Sequence, residues 1–314
     1  MFSIIPQSVA MQNLSSLATC RLVAGAYDLA RGRFPDVVRI ETTNACNAKC
    51  VICPHHKMAR PVRRMDNRLF AQIIDECAVG RPKEIHLHNF GEPLLDKALE
   101  GRIRYAKQRT SARVKIFSNG SLVTRERARA MIEAGLDEIK ISMDGATREE
   151  FQRIRPPLKY DQVVQNIKDL VAVRNEMGAA TRIRFACCST SDKESTMQSL
   201  ENLVDGFSFG KIHNWHGPEE TIEVGGVRKP CSRLWRTFTV LADGNVALCC
   251  LDYDGQVILG RLDEKTRIEK IWNNDAYQRV RRLHREARQA ELSLCRYCTK
   301  AFLYQSKSKL SRAA

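Results

Sequence analysis

The 314-residue chain is 43% hydrophobic, with 17 glycines, 10 prolines and charges of both signs throughout; it can bury a large core, which excludes a disordered or low-complexity polymer. It holds no uninterrupted apolar run of about 18 residues, so no membrane span is expected. Gln7, Gln12 and Asn13 interrupt the apolar stretch up to Ala26 and no basic segment precedes it, which fits a secretory signal poorly. Twelve cysteines in such a chain point to reduced thiols, metal binding and a cytoplasmic location rather than a disulfide framework.

In chain order, residues 1–35 read as a helical extension. From Val37 onward short β-branched runs alternate with longer amphipathic segments, the pattern of repeated βα units. The expected strands are Val37–Glu41, Glu84–His88, Arg113–Phe117, Glu138–Ser142, Arg182–Cys187 and Phe209–Asn214. Helices are expected over Asp66–Val79, Leu95–Arg109, Thr124–Glu133, Asp161–Met177 and Lys193–Val204. Six strands joined by crossover helices give an α/β fold, a partial (β/α)6 TIM-like barrel spanning residues 36–216. Gly217, Pro218, Gly225, Gly226 and Pro230 then punctuate a connector ending at Cys231. Phe238–Leu241 and Asn245–Cys249 flank Ala242-Asp243-Gly244 as a β-hairpin, and one basic helix over Arg267–Arg288 leads to Cys295 and Cys298. Residues 217–302 therefore read as a small α+β domain, and 303–314 as a basic tail.

Cys46, Cys50 and Cys53 follow the first strand, where a βα loop opens at the strand's C-terminal end, the end on which barrel enzymes build their sites. Iron–sulfur clusters take four thiolates as a rule, so three leave one iron open. Taken alone, the triplet also fits a zinc site with a distant fourth ligand such as His55 or His56.

The run from Glu41 through Cys46 to Cys53 and Pro54 resembles the opening of radical S-adenosylmethionine (radical SAM) enzymes. Gly91, Glu92 and Pro93 after the second strand are similar to the family's glycine–glutamate motif, which receives the methionine amino group of SAM. Ser118 and Asn119 after the third strand, and Ser142 and Asp144 after the fourth, are similar to segments lining the SAM pocket in relatives. Ile52 stands where relatives touch adenine. The resemblance implies a 4Fe-4S cluster with SAM on its open iron, and reductive cleavage of SAM to a 5'-deoxyadenosyl radical that abstracts hydrogen.

Cys231, Cys249, Cys295 and Cys298 form a closed set of four. Alone it also fits a structural zinc knuckle. Beside the triplet it resembles the Twitch form of the SPASM extension, which implies one auxiliary 4Fe-4S cluster. Cys249 and Cys250 are adjacent; spacing selects Cys249 as the ligand and leaves Cys250 either packed or placed as a hydrogen donor, as in neomycin-type epimerases. Cys187 and Cys188 face opposite sides of the fifth strand, and Cys20 and Cys77 read as structural.

Pocket candidates are His86 and His88, one face of the second strand, with His88 a possible acid or base; His213, Trp215 and His216 at the end of the sixth; and Arg153 and Arg155, which suit a phosphate or carboxylate but are more ordinary as solvent-facing helix charge. The implied activity is oxidation or epimerisation at a carbinol carbon of a sugar or aminocyclitol. Aminocyclitol dehydrogenases pass an electron to the auxiliary cluster instead of taking a hydrogen from cysteine. A peptide-modifying SPASM maturase is the rival enzyme, and a non-catalytic metal-binding nucleic-acid module the rival from another class. The charge of +15 suits a phosphorylated or glycosidic polar small molecule and an acidic flavodoxin- or ferredoxin-type electron donor; its spread over many helices argues against a dedicated nucleic-acid site.

Overall fold

The computed structural model describes residues 7–198, 200–201, 203–215 and 228–301, with side chains from Ser16 onward. Helix α1 spans Gln7–Ala30. Strands β1 (Val37–Ile40), β2 (Glu84–His86), β3 (Arg113–Ser118), β4 (Glu138–Ser142), β5 (Arg182–Cys187) and β6 (Phe207–Phe209) are all parallel. Crossover helices join them: α2 (Asn67–Gly80), α3 (Leu99–Arg109), α4 (Arg125–Glu133), α5 (Arg148–Ile154), α6 (Tyr160–Glu176) and α7 (Lys193–Gln198). Asp66 and Thr124, where the sequence places helix starts, N-cap α2 and α4 by accepting from Leu69 N and Arg127 N.

The later segment is not a separate sheet. After α8 (Arg233–Arg236), strand β7 (Thr237–Val240) pairs in parallel with β1, Val37 opposite Thr237 through Ile40 opposite Val240. Strands β8 (Asn245–Ala247) and β9 (Ile258–Arg261) continue antiparallel, giving one nine-stranded sheet ordered β6-β5-β4-β3-β2-β1-β7-β8-β9. The hairpin turns on Gly244, at φ +88°, where a side chain would strike the Leu262 carbonyl.

Side chains alternate along each barrel strand. Val38, Ile40, Ile85, Val114, Ile116, Ile139, Ile141, Ile183 and Phe185 are buried against the helices. Their neighbours on the other face are charged or aromatic: Arg39, Glu84, His86, Lys115, Phe117, Glu138, Lys140 and Arg184. That face lines the barrel lumen.

Several expected elements differ, the Lys193–Val204 helix ending at Gln198 and the second strand at His86. The sixth strand ends at Phe209 instead of starting there; after Gly210 N bonds Cys187 O the chain leaves the sheet. The basic helix breaks into α9 (Ile268–Trp272) and α10 (Asp275–Arg285), because the Asn274 side chain accepts from Tyr277 N and starts a new helix. The second crossover helix, α3, begins at Leu99, after a 3-10 turn over Pro93–Leu95. Helix α11 (Ser293–Arg296) carries Cys295. Among the described residues no helix is long and apolar enough to cross a membrane.

Candidate active site

The triplet loop is held from both sides. Lys49 N bonds Pro156 O at 2.6 Å and Val51 N bonds Ile154 O at 2.9 Å, tying it to the end of α5. On the β2 side, Glu92 N bonds Ala45 O at 2.7 Å. Gly91 makes that approach possible: at φ +98° a Cβ there would lie 2.7 Å from the carbonyls of Thr43 and Ala45. Burial pushes the Cys46 thiol up to about 12, with Glu92, Cys50 and Cys53 adding to the rise. Burial likewise raises Cys53 to about 11 and raises Cys50, where the Arg155 guanidinium opposes it.

Amide N–H groups two residues on are directed at the sulfurs of Cys46 (from Ala48), Cys53 (from His55), Cys231 (from Arg233) and Cys249 (from Leu251). Such bonds favour thiolate over thiol. At Cys50 and Cys250 the residue's own amide plays this part.

Glu92 is buried, and its carboxylate accepts from Ser118 Oγ (2.8 Å), Asn119 N (2.7 Å) and Leu94 N (3.1 Å). A carboxylate offers about four lone-pair sites; Oε2 takes only the Asn119 amide and keeps room for a further donor. Burial raises the Glu92 pKa against these bonds. A buried carboxylate without a hydrogen-bonded cation is matched to an incoming ammonium.

Ser118 and Asn119 are not open pocket residues. Ser118 orients Glu92, while Asn119 Nδ2 donates to Asn47 Oδ1 at 2.8 Å and Asn47 Nδ2 donates to Ser121 Oγ at 2.9 Å. Asn47, inside the cysteine loop, was missed because its role depends on a partner 72 residues away. Asp144 departs further from a pocket-lining role. It is fully buried: Oδ1 accepts from Cys188 N (2.6 Å) and Ser189 N (2.7 Å), and Oδ2 accepts from both Nε and Nη2 of Arg155. Arg155, expected in solvent, is buried instead and reaches Cys50 Sγ through Nη1 at 3.7 Å. Arg153 faces solvent and Ser142 is half-buried at the end of β4.

Below this rim the lumen is charged. Arg39 Nη2 donates to His86 Nδ1 (3.2 Å), His86 Nε2 donates to Glu84 Oε2 (2.8 Å), and Lys115 Nζ meets Glu84 Oε1 (2.6 Å). His88 stacks between His86 and Phe117, with centroids at 5.3 and 4.4 Å, and Lys140 Nζ sits 5.1 Å over the Phe117 ring. Burial pushes the His88 pKa well down, with Arg39 and His86 adding to it. Arg39 Nε, His88 Nδ1, Arg184 Nε and Thr239 Oγ1 are buried without hydrogen-bond partners. The charges had a sequence signal: Arg39, Lys115, Lys140 and Arg184 each alternate with aliphatic residues in their strands.

The quartet is collected from three segments: Cys231 before α8, Cys249 after β8, and Cys295 and Cys298 in and after α11. Cys250, Cys231, Cys249 and Cys298 together raise the pKa of Arg233, which lies among them. Burial raises Cys295 to about 12, with Cys298 and Cys231 adding. Burial and Cys250 raise Cys249; for Cys250, burial is outweighed by Arg39, Arg233 and Lys300, which lower it. Arg39 of the lumen and Arg233 of the quartet therefore both act on Cys250. A second tie crosses here: Arg60 grips Glu41 with bonds of 2.8 and 3.0 Å, and Arg60 Nε donates to Tyr253 O.

Other expected residues fall as follows. His55 Nε2 bonds Asn44 O at 2.7 Å and His56 is exposed. Ile52 is half-buried, and its carbonyl accepts from Trp215 Nε1 at 2.8 Å. His213 is buried with Nε2 3.7 Å from Cys298 Sγ. Cys187 is buried and Cys188 exposed at the end of β5; Cys20 and Cys77 are buried. His216 and the tail from residue 302 lie outside the described residues. Among those residues no three His, Cys, Asp or Glu side chains stand close enough to hold one metal ion.

The radical SAM superfamily model matches residues 40–180, and the SPASM iron–sulfur cluster-binding domain model matches 231–299. The chain thus carries a radical SAM domain over residues 40–180 and a SPASM domain over 231–299; SAM and 4Fe-4S clusters are its cofactors. Among named relatives it is similar to the S-adenosyl-L-methionine-dependent 2-deoxy-scyllo-inosamine dehydrogenase of Niallia circulans, 21% identical over 83% of this chain and 92% of that protein. It is 32% identical to the GTP 3',8-cyclase of Chlorobaculum tepidum over 45% of this chain, but the match spans only 42% of the cyclase. The fold is similar to BtrN in complex with AdoMet and 2-DOIA (TM-score 0.60, 18% identity, 86% of this chain and 98% of that one). It is also similar to Streptococcus suis SuiB bound to precursor peptide SuiA (TM-score 0.65, 12% identity, 89% of this chain and 73% of that one).

Proposed function

We propose that this radical SAM enzyme oxidises a carbinol carbon of a polar, anionic sugar or aminocyclitol, and that the substrate enters the charged lumen between the two cysteine sets. The observation that carries this reading is the group of buried, unpartnered polar atoms on the lumen wall, Arg39 Nε, His88 Nδ1, Arg184 Nε and Thr239 Oγ1. Buried polar groups without partners are costly in a folded protein unless a ligand satisfies them.

Cys46, Cys50 and Cys53 would hold the first cluster, and Cys231, Cys249, Cys295 and Cys298 the auxiliary one. The donors fit: amide N–H groups directed at Cys46, Cys53, Cys231 and Cys249 favour the thiolate that iron binds. When bound, the first cluster and SAM supply a 5'-deoxyadenosyl radical that abstracts hydrogen, and the auxiliary cluster supplies a one-electron acceptor. The chain's own residues do the rest. Glu92, oriented by Ser118 and Asn119, receives the SAM ammonium; Gly91 and Pro93 set its backbone; Ile52 and Ser142 border the same rim. Asp144 acts through Arg155, which supports Cys50. Four lumen cations, Arg39, Lys115, Lys140 and Arg184, face two carboxylates, Glu84 and Glu138, an excess that suits a phosphate or carboxylate on the substrate. His88 Nδ1, unpartnered on the lumen wall, is placed to take the carbinol proton as the carbonyl forms.

Oxidation fits better than epimerisation. The inosamine dehydrogenase, similar to this chain over 92% of its own length, supports oxidation. A cytoplasmic flavodoxin- or ferredoxin-type donor would supply the electron that cleaves SAM.

The test is anaerobic turnover with sugar phosphates, and with 2-deoxy-scyllo-inosamine as a cationic comparison that the lumen cations should disfavour, each deuterated at the carbinol carbon. Deuterium should appear in 5'-deoxyadenosine together with a ketone product. Deuterium transfer with an inverted alcohol as product would show an epimerase.

A further inference from the structure

The segment that leaves the sheet after β6 touches both cysteine sets. Trp215 Nε1 donates to the carbonyl of Ile52, next to Cys53, at 2.8 Å. Trp215 N donates to His213 Nδ1 at 2.8 Å. With Nδ1 occupied as an acceptor, the neutral imidazole carries its proton on Nε2, and Nε2 stands 3.7 Å from Cys298 Sγ. Asn214 Nδ2 donates to Tyr297 O at 2.7 Å, fixing the same segment to the Cys295–Cys298 turn. His213 and Asn214 are buried, and Trp215 holds φ +46°, a left-handed conformation uncommon for a bulky residue. Phe90, beside Glu92, meets the Trp215 ring edge-on at 5.8 Å.

We propose that His213 is a positioning residue for the auxiliary cluster: it donates an N–H···S bond to the Cys298 thiolate and so sets that cluster's reduction potential, while Trp215 keeps it in register with the first cluster's loop. This rests on the quartet holding an auxiliary cluster. The chemistry follows from charge. One electron entering the cluster adds negative charge to its sulfurs, and a fixed N–H donor stabilises that reduced form more than the oxidised one. The potential therefore lies higher than it would without the donor, which favours electron uptake from a substrate radical. No proton leaves His213. The bond is present before and after the electron arrives, so it adjusts the acceptor without becoming a reactant.

The experiment is an EPR-monitored redox titration of the reconstituted full-length protein, without substrate, comparing wild type with His213→Ala and His213→Gln. Addition of SAM identifies the first cluster, whose signal responds; the unresponsive signal belongs to the auxiliary cluster. His213→Ala should shift the auxiliary midpoint to more negative potential and leave the SAM-responsive signal where it was. His213→Gln, whose amide retains a donor at similar reach, should recover much of the shift. Equal auxiliary midpoints in wild type and His213→Ala, with both clusters loaded, overturn the proposal. If the alanine variant does not assemble, pulsed EPR of reduced wild type carrying 15N-histidine decides: a histidine nitrogen coupling on the SAM-unresponsive signal supports the bond, and its absence overturns it. Wild type that loads one cluster only would instead overturn the two-cluster reading on which the proposal rests.

Discussion

The two cysteine sets are assembled differently. Cys46, Cys50 and Cys53 lie on one loop, and their geometry comes from a short span whose backbone is pinned to Ala45, Ile154 and Pro156. The quartet comes from three segments and closes only because β7 pairs with β1 and α11 folds back beside Cys231. A local site depends on its neighbouring loops; a composite site depends on the whole sheet. Loss of one quartet ligand should therefore disturb folding more than loss of one triplet ligand, and activity in a different step.

The largest expected effect is on SAM cleavage. Replacing Cys50 with alanine should lower 5'-deoxyadenosine formation by at least about 1,000-fold and remove about four irons per chain, read by chromatography and iron assay, with far-UV CD unchanged. Cys298→Ala should also remove about four irons. It should leave SAM cleavage measurable, abolish ketone formation and lower the melting temperature; loss of SAM cleavage to the same degree as in Cys50→Ala would erase the distinction between the two sets.

Arg155→Met tests the support beneath the triplet. It leaves the Asp144 carboxylate buried without its cation, a loss of about 3–5 kcal/mol measurable by denaturant unfolding of the apo protein. A loss below about 1 kcal/mol would place Arg155 among ordinary surface ion pairs. Cys250→Ala sharpens the composite side: both clusters should load and ketone formation should persist within a few-fold, whereas Cys249→Ala should lose the auxiliary irons. The smallest effect belongs to Asn47→Ala, which removes one amide bridge to Asn119. About 1 kcal/mol for that hydrogen bond corresponds to a five-fold weaker SAM affinity by equilibrium binding.

The same contrast governs what the sequence disclosed. The barrel strands, and the positions of the triplet, Gly91 and Glu92 at their strand ends, were legible because each is a short pattern with a local cause: loop spacing, a close backbone approach, an alternating strand. Arg155 read as a solvent-facing helix charge, because burial under Cys50 depends on Asp144 folding beneath it. Asp144, Ser118 and Asn119 were placed at the right strand ends, but their side chains are spent on Arg155, Glu92 and Asn47. Pairing of β7 with β1 joins segments about 200 residues apart, and no local pattern encodes such a long-range contact. The lumen charges were visible as alternation but carried no meaning until the strands closed around them.

The central claim is that the triplet, with Glu92 above it, cleaves SAM in this chain. Its most direct test is anaerobic reconstitution with iron and sulfide, reduction with dithionite and addition of SAM. The account predicts 5'-deoxyadenosine and methionine in equal amounts from wild type and none from Cys50→Ala. Fully loaded wild-type protein that reduces but forms no 5'-deoxyadenosine would contradict it.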